Sequence, residues 1–139
     1  MGAGLRIAML SALAGLLLGC ALLPSKPVNV MGTVVYRERS ALPPNAVVEV
    51  TLYDVTRGEA AAQVVATQSI PLNGRQVPIA FDLVVQPEWL KAEGDYVLRA
   101  QIVGPVGDIL FSTNKDHPVK LGKRPPEVKL VLTPVKNGS

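Results

Sequence analysis

One cysteine, Cys20, is all the sulfur nucleophile this 139-residue sequence contains, so no disulfide can form within the chain. Histidine is equally scarce. His117 stands alone, a metal site built on it would need carboxylates for its other ligands, and no Asp or Glu pair has suitable spacing beside it. A Ser-His-Asp arrangement would have to use the same imidazole, and there is no Gly-x-Ser-x-Gly elbow. His117 is therefore expected in a loop next to Pro118. The carboxylates Asp54, Glu59, Asp82, Glu88, Asp95 and Asp108 fall mostly where turns or strand ends are expected, positions at which Asp bonds its own backbone. Neither catalysis nor a cofactor nor a metal is expected.

Aromatic residues are few, at 4% of the chain, so a core must be made from Val, Leu, Ile and Ala, and the prominence of Val favours strands. The formal net charge is +3, and the loss of Arg6 with a cleaved leader lowers it to +2, because no acid precedes Cys20. So small an excess implies no nucleic-acid partner. No internal repeat or low-complexity tract is present, and the length suits one domain.

What is present begins with a leader. A short segment from Met1 to Arg6 carries one positive charge, and an apolar run continues from Ile7 to Leu18. At about 20 residues for a membrane span, that run is too short to cross comfortably. Leu17-Leu18-Gly19-Cys20 resembles the bacterial lipobox, in which the cysteine thiol receives diacylglycerol and becomes the first residue after cleavage. The alternative is an ordinary signal peptide or anchor that happens to contain a cysteine. The expected division is a lipoprotein signal peptide over 1–19, a lipidated tether over 20–27, a folded domain over 28–133 and a tail over 134–139. Each buried methylene of an acyl chain contributes about 0.8 kcal/mol, so more than one chain on Cys20 gives durable membrane anchorage. Ala21 comes after the cysteine where an aspartate would favour inner-membrane retention, which points to the outer membrane with the domain facing the periplasm. Pro24 and Pro27 deny helix to the tether, which at roughly 3.3–3.6 Å per residue reaches at most about 30 Å.

After Val28, alternation with period two recurs in short runs broken by Pro, Gly, Asn and Asp, as in an antiparallel β protein. Val28, Val30, Val34 and Tyr36 share one face of a first strand, and Val48, Val50 and Leu52 line a second, with Glu49 and Thr51 opposite. A third run covers Val64 to Ile70, Asn73-Gly74 marks a turn, and Val77, Ile79, Phe81 and Leu83 alternate through a fourth, with Pro78 at an edge or a strand start. Gln86 to Gly94 reads as a loop or one helical turn over a sheet edge. Tyr96, Leu98, Ala100 and Ile102 form a fifth run, in a hairpin with Ile109, Phe111 and Thr113. A short strand at Val119–Leu121 and a last one through Val128, Leu130 and Leu132 complete the pattern. The expected fold is all-β: a small antiparallel β-sandwich of about seven or eight strands, preceded by a helical signal peptide.

The stretch from Gly32 to Ala46, with Tyr36-Arg37-Glu38-Arg39 running into Ala41-Leu42-Pro43-Pro44, resembles the signature of the YbaY/YscW lipoprotein family. Asp54-Val55, Val77 to Phe81, Tyr96 to Ala100 and Leu110 to Thr113 extend the likeness over roughly residues 28 to 133. The resemblance implies a β-sandwich lipoprotein of the bacterial envelope acting as a type III secretion pilotin. Such a chaperone binds the C-terminal segment of a secretin subunit and promotes its outer-membrane localisation and assembly. The other branch it implies is a YbaY-like envelope lipoprotein that binds a glycan or another surface component. Neither branch supplies catalytic residues, the family pattern does not locate a partner-binding surface, and only Cys20 transfers as a functional position.

Three local features complete the expectations. Tyr36 to Arg39 are expected to form a salt-bridged corner pinning the Pro43-Pro44 turn, with a partner contact as the alternative. Lys115, Lys120, Lys123 and Arg124 are expected on a solvated face, the alternative being acidic headgroups. Trp89 and Leu90 either plug the end of the sandwich, which is the expectation, or offer an apolar anchor to a docking peptide.

Overall fold

The computed structural model describes residues 26–122 and 127–136. The leader, Cys20, most of the tether, Lys123, Arg124 and the last residues of the tail lie outside them. Eight strands succeed one another along the chain: β1 (Val28–Tyr36), β2 (Val47–Asp54), β3 (Gln63–Pro71), β4 (Ile79–Val85), β5 (Tyr96–Val103), β6 (Ile109–Ser112), β7 (His117–Val119) and β8 (Val128–Pro134). Two single-turn 3-10 helices, Glu59–Ala61 and Pro87–Trp89, are the only other regular elements among the described residues.

The alternation written in the sequence sets which side chains face inward. In β2 every second residue is buried, with Val48, Val50 and Leu52 fully so, and in β4 Ile79, Phe81, Leu83 and Val85 alternate with exposed neighbours. β1 and β8 obey the same rule through Val30, Val34 and Tyr36 and through Val128, Leu130 and Leu132. Burying an aliphatic side chain of this kind contributes about 1.5–3 kcal/mol, and these rows together form one continuous core.

The strand order is β3-β2-β5-β6-β8-β1-β4, with β7 beside β5 below β6. β5 thus meets β2 along its whole length, β7 over Tyr96–Leu98 and β6 over Gln101–Val103. β8 joins the two halves of the sandwich, pairing with β6 through Ser112 and Phe111 and with β1 from Gly32 to Tyr36. The sheet therefore curls almost into a barrel, with β3 and β4 at its two ends. The expected all-β sandwich is observed, with one pairing that differs from the antiparallel rule: β1 and β8 run parallel. Parallel neighbours need a long crossover, and here the rest of the domain serves as that crossover. Their approach is close at Gly32, where a Cβ would fall 1.9 Å from the Val128 carbonyl oxygen.

At one end of the sandwich, loops are tied down by polar side chains. The Tyr36 hydroxyl donates to the Ser40 carbonyl, and the Tyr36 ring stacks on Phe111 with centroids 4.1 Å apart. Gln76 accepts from the Leu42 amide (2.7 Å) and donates to the Leu42 carbonyl (3.2 Å), so one side chain replaces a strand neighbour. The Leu72 amide donates to the Ala46 carbonyl at 3.0 Å. The corner was expected to be salt-bridged. Instead Arg37, Glu38 and Arg39 are exposed, none of them takes part in an ion pair found among the described residues, and neutral hydrogen bonds hold the turn. This is the closed end of the sandwich.

Pro78 immediately precedes β4, which is an edge strand, so both readings of that proline hold. The short strand expected at Val119–Leu121 starts two residues earlier. His117 is its first residue, opposite Leu98, rather than part of a loop. Pairing to a strand already fixed by β2 supplies the ladder that local sequence did not advertise.

Candidate functional site

Antiparallel pairing places the start of β1 beside the end of β4, Val28 opposite Val85, so the segment expected to be the tether would join the domain where the Gln86–Gly94 loop begins. The end of β2, the start of β3, the start of β5 and the end of β7 lie at the same level, since Asp54 pairs with both Gln63 and Tyr96, and Tyr96 with Val119. Two recesses open here.

The larger, about 740 Å³, lies between the Leu90–Val97 segment and Pro118–Gly122, with Val55 on its wall. Its lining mixes apolar Leu90, Tyr96, Val119 and Leu121 with Lys91, Glu93, Asp95 and Lys120. The smaller, about 360 Å³, is lined by Asp54, Gln63, Val64, Val65, Trp89 and Lys91. Lys91 belongs to both and is anchored from two sides. Its amide donates to the Tyr96 hydroxyl at 2.7 Å, and its ammonium pairs with Asp54 at 3.2 Å.

Asp54 is the one buried charged residue among the described residues. It is tolerated because its carboxylate is well supplied with donors: the Thr56 hydroxyl, the Thr56 amide at 2.8 Å and the Lys91 ammonium. The two Thr56 hydrogen bonds, more than the lysine, hold its carboxyl below the ordinary carboxylate range against the opposing effect of burial. The Thr56 hydroxyl oxygen in turn accepts from the Asp95 amide at 3.1 Å, fastening the β5 entry to the β2 exit.

Trp89 does not plug the sandwich. It is 51% exposed, and the residue that packs against the core from this loop is Leu90, only partly buried. The reason is local. The Pro87–Trp89 turn closes with the Leu90 amide on the Pro87 carbonyl (3.0 Å), and the chain then extends, which turns Leu90 inward and leaves the indole outside.

Val64 breaks the alternation of its strand. Strict alternation through Val64, Ala66, Gln68 and Ile70 would put all four on one face. Between Leu52/Tyr53 and Ala66/Val64 the register slips, leaving Val65 as an extra residue in β3. A bulge of this kind reverses the facing of the residues beyond it. Val64 therefore pairs with Tyr53 on the outer face and is 62% exposed, whereas Ala66 stays buried against Leu52.

Elsewhere the outer face of β2 and β5 is polar. Arg99 forms a two-pronged pair with Asp116, the longer contact being 2.9 Å, and covers the Tyr53 ring at 4.5 Å. The hydrogen bond from Arg99 is the largest influence on Asp116 and holds that carboxyl below its ordinary range. Glu49 accepts from Gln101 at 2.8 Å nearby. Lys115 and Lys120 are exposed, as a solvated face requires, while their two expected companions lie outside the described residues. Among the described residues no group of three or more His, Cys, Asp or Glu side chains is placed to hold a metal. No helix among them is long and apolar enough to cross a membrane.

Sequence reasoning did not find the Val64 bulge, the Asp54–Lys91 pair or the Gln76 clamp. The first leaves no trace in a period-two pattern. The other two join residues 34 or more positions apart that look like ordinary turn residues.

Residues 25–132 match the protein family described as type III secretion system lipoprotein chaperone (YscW). A similar curated protein is the uncharacterised lipoprotein YbaY of Escherichia coli (strain K12), 35% identical over 109 residues, which are 78% of this chain and 56% of that protein. The chain thus spans little more than half the length of that relative. Among solved structures, an alternative pilotin from the type II secretion system of Vibrio cholerae superposes with a TM-score of 0.73 at 37% identity, covering 81% of this chain and 100% of the pilotin.

Proposed function

Because this chain belongs to the YscW family of type III secretion system lipoprotein chaperones, we propose that it is itself a pilotin: a lipid-anchored domain that binds the C-terminal segment of a secretin subunit and promotes its localisation and assembly at the outer membrane. The observation that carries this reading is the likeness to a solved pilotin over that protein's whole length, at 37% identity. The family is named for type III secretion and the solved relative for type II. The proposal therefore concerns whichever secretin the organism makes. The action is binding without turnover, in which a rigid sandwich presents a surface and the lipid supplies the address. Acylation of Cys20 after cleavage at Gly19, with Ala21 permitting onward sorting, is part of the same proposal, and the domain would face the periplasm.

The likeness to the lipoprotein YbaY keeps a second reading in view, an envelope lipoprotein that binds a glycan or another surface component.

Calorimetry of the purified chain with peptides from the C-terminal region of the organism's own secretin tests the proposal, with saturable binding expected. In cells, Cys20→Ser is expected to lower the number of heat-resistant secretin multimers in outer-membrane fractions and to leave the protein unprocessed or soluble. Absence of peptide binding together with unchanged multimers in a deletion strain would remove the pilotin reading and promote the glycan-binding one.

A further inference from the structure

The two loops that wall the larger recess both run to or from a neighbour of β1. One leaves β4, which pairs with β1 at Val28 opposite Val85, and crosses to β5 in the other half of the sandwich. The other leaves β7 and feeds β8, which pairs with β1 from Gly32 onward. β1 therefore begins between the two loops, and the chain that leads into Val28 enters the domain past the mouth of this recess. Stacked sheets lie about 10 Å apart. Leu22 and Leu23 stand six and five positions before Val28. At roughly 3.3–3.6 Å per residue, either reaches across that gap with length to spare.

The recess suits that segment in composition and charge. Tyr96, Val97 and Val119 in its lining are buried, and Leu90 and Leu121 are half-buried. Glu93 and Asp95, also in the lining, are exposed, and neither takes part in an ion pair found among the described residues. From Ala21 to Pro27 the sequence holds two leucines, no acid and one base, Lys26. The leucines match the apolar lining, and the lysine matches the two carboxylates. A volume of about 740 Å³ is ample for two leucine side chains. Pro24 and Pro27 stand three apart, the period of a polyproline turn, and prolines carry no amide donor that a neighbouring strand would have to satisfy. Such a segment is stiffened before it docks, so little entropy is lost on seating. The smaller recess is lined by the start of β3, which does not pair with β1, and its two charges, Asp54 and Lys91, already neutralise each other.

We infer that the larger recess is the seat of the chain's own Leu22-Leu23 segment, which straps the domain to its anchor. The inference rests on the reading of Cys20 as the acylated first residue. With Leu22 seated, the free chain between domain and lipid shrinks from the eight steps that separate Cys20 from Val28 to two, roughly 7 Å. The sandwich then stands with this end against the bilayer, and its sheet faces and closed end are turned toward a partner. The recess itself is closed to a secretin segment.

The full protein is extracted from membranes in non-ionic detergent, and its intact mass reports whether the chain begins at an acylated Cys20. A chain that keeps its leader overturns the lipoprotein reading and the strap with it, whereas an acylated chain whose recess is open overturns the strap alone. Amide hydrogen exchange is then compared between the native sequence and the double variant Leu22→Ser, Leu23→Ser. Protection of Gly94–Val97 and Val119–Gly122 is expected to fall about tenfold or more, with β2 and β8 unaffected. In a second measurement Leu23→Cys is combined with Leu121→Cys in the recess or with Trp89→Cys outside it, at the same end of the domain. Mild oxidation is expected to cross-link the first pair preferentially. Equal cross-linking of both pairs, with protection unchanged by the serines, means that the segment samples the whole end and overturns the inference. Protection that survives the serines and disappears when the ester-linked chains are cleaved from Cys20 gives the recess to an acyl chain. Protection that arises only with secretin peptides gives it to the guest, and either result overturns the strap.

Discussion

The closed end and the tether end are built from the same kinds of residue and finish differently. At the closed end, Gln76 occupies both backbone groups of Leu42, Tyr36 caps Ser40 and stacks on Phe111, and Leu72 is fully buried beneath the turns. At the tether end a buried carboxylate holds the loops while a tryptophan and a valine are left in water. The difference teaches where stability is concentrated and where surface has been left free for something else. At the closed end Leu72 is inside and the polar groups of Tyr36 and Gln76 are satisfied locally, with Val106 of the β5–β6 hairpin left exposed, whereas the other end keeps Asp54 inside and Trp89 and Val64 outside.

The contrast can be broken most severely at Leu72. Leu72→Ala removes a fully buried side chain from beneath the closed-end turns, and a loss of about 2–5 kcal/mol is expected in denaturant unfolding. The corresponding truncation at the tether end, Leu90→Ala, acts on a partly buried residue and is expected to cost about 1 kcal/mol. Equal losses would erase the distinction.

Next in size is Gln76→Ala. It leaves the Leu42 amide and carbonyl without partners in a residue that is 4% exposed, so about 1–3 kcal/mol is expected. Hydrogen exchange should show opening confined to 40–46 and 72–77, with β5 undisturbed. Opening that spreads through the whole sheet would mean the clamp belongs to the global core.

Acid sharpens the comparison from the other side. The Asp54 carboxyl is held below its unfolded value of about 3.9, so between the depressed value and that figure the native state binds fewer protons than the unfolded chain. Its contribution is complete above about pH 5 and is lost as pH falls below about 4. Thr56→Val removes the principal donor, and a loss of about 1–2 kcal/mol at pH 7 with a shallower acid limb is expected. Some acid dependence should persist, because Asp116 is depressed by Arg99 over the same range on the outer face. An acid limb unchanged by Thr56→Val would sever Asp54 from the stability of this end.

The smallest effects are expected where the surface is most unusual. Trp89→Ala and Val64→Ser should each change stability by no more than about 0.5 kcal/mol, since neither side chain is buried. A large loss on thermal unfolding would return Trp89 to the role of plug.

The faces of the strands were legible in the sequence because side-chain alternation is a property of the backbone pleat. Val48, Val50 and Leu52 of β2, and Ile79, Phe81 and Leu83 of β4, fall inward as the alternation requires. Partnership was legible where a tight turn joins neighbours, as in the expected hairpin of β5 with β6, and not between strands distant in the chain. Period two tells which side a residue faces but nothing about its neighbour, so the parallel contact of β1 with β8 left no signal except Gly32, whose absent side chain the close approach demands. The slip at Val65 was invisible for a related reason, since a bulge is defined by what lies opposite. At the tether end the loop was readable, down to its single helical turn, but the choice between Trp89 and Leu90 for the interior depends on a few dihedral angles after Pro87. Cys20 was read from the lipobox pattern and lies outside the described residues.

The partnership of first and last strands sets the order of events during synthesis. β1 is among the first of the domain's segments to emerge from the machinery that makes or moves the chain, and one of its two flanks stays bare until β8, some hundred residues later, arrives. The same late strand supplies β6 with its second neighbour. A nascent chain short of residue 128 thus has an uncovered flank on each half of the sandwich and no route to closure, a condition that invites holding factors and proteolysis. Completion is tied to the arrival of the final segment, so a shortened product is exposed as defective before it can be mistaken for a finished one.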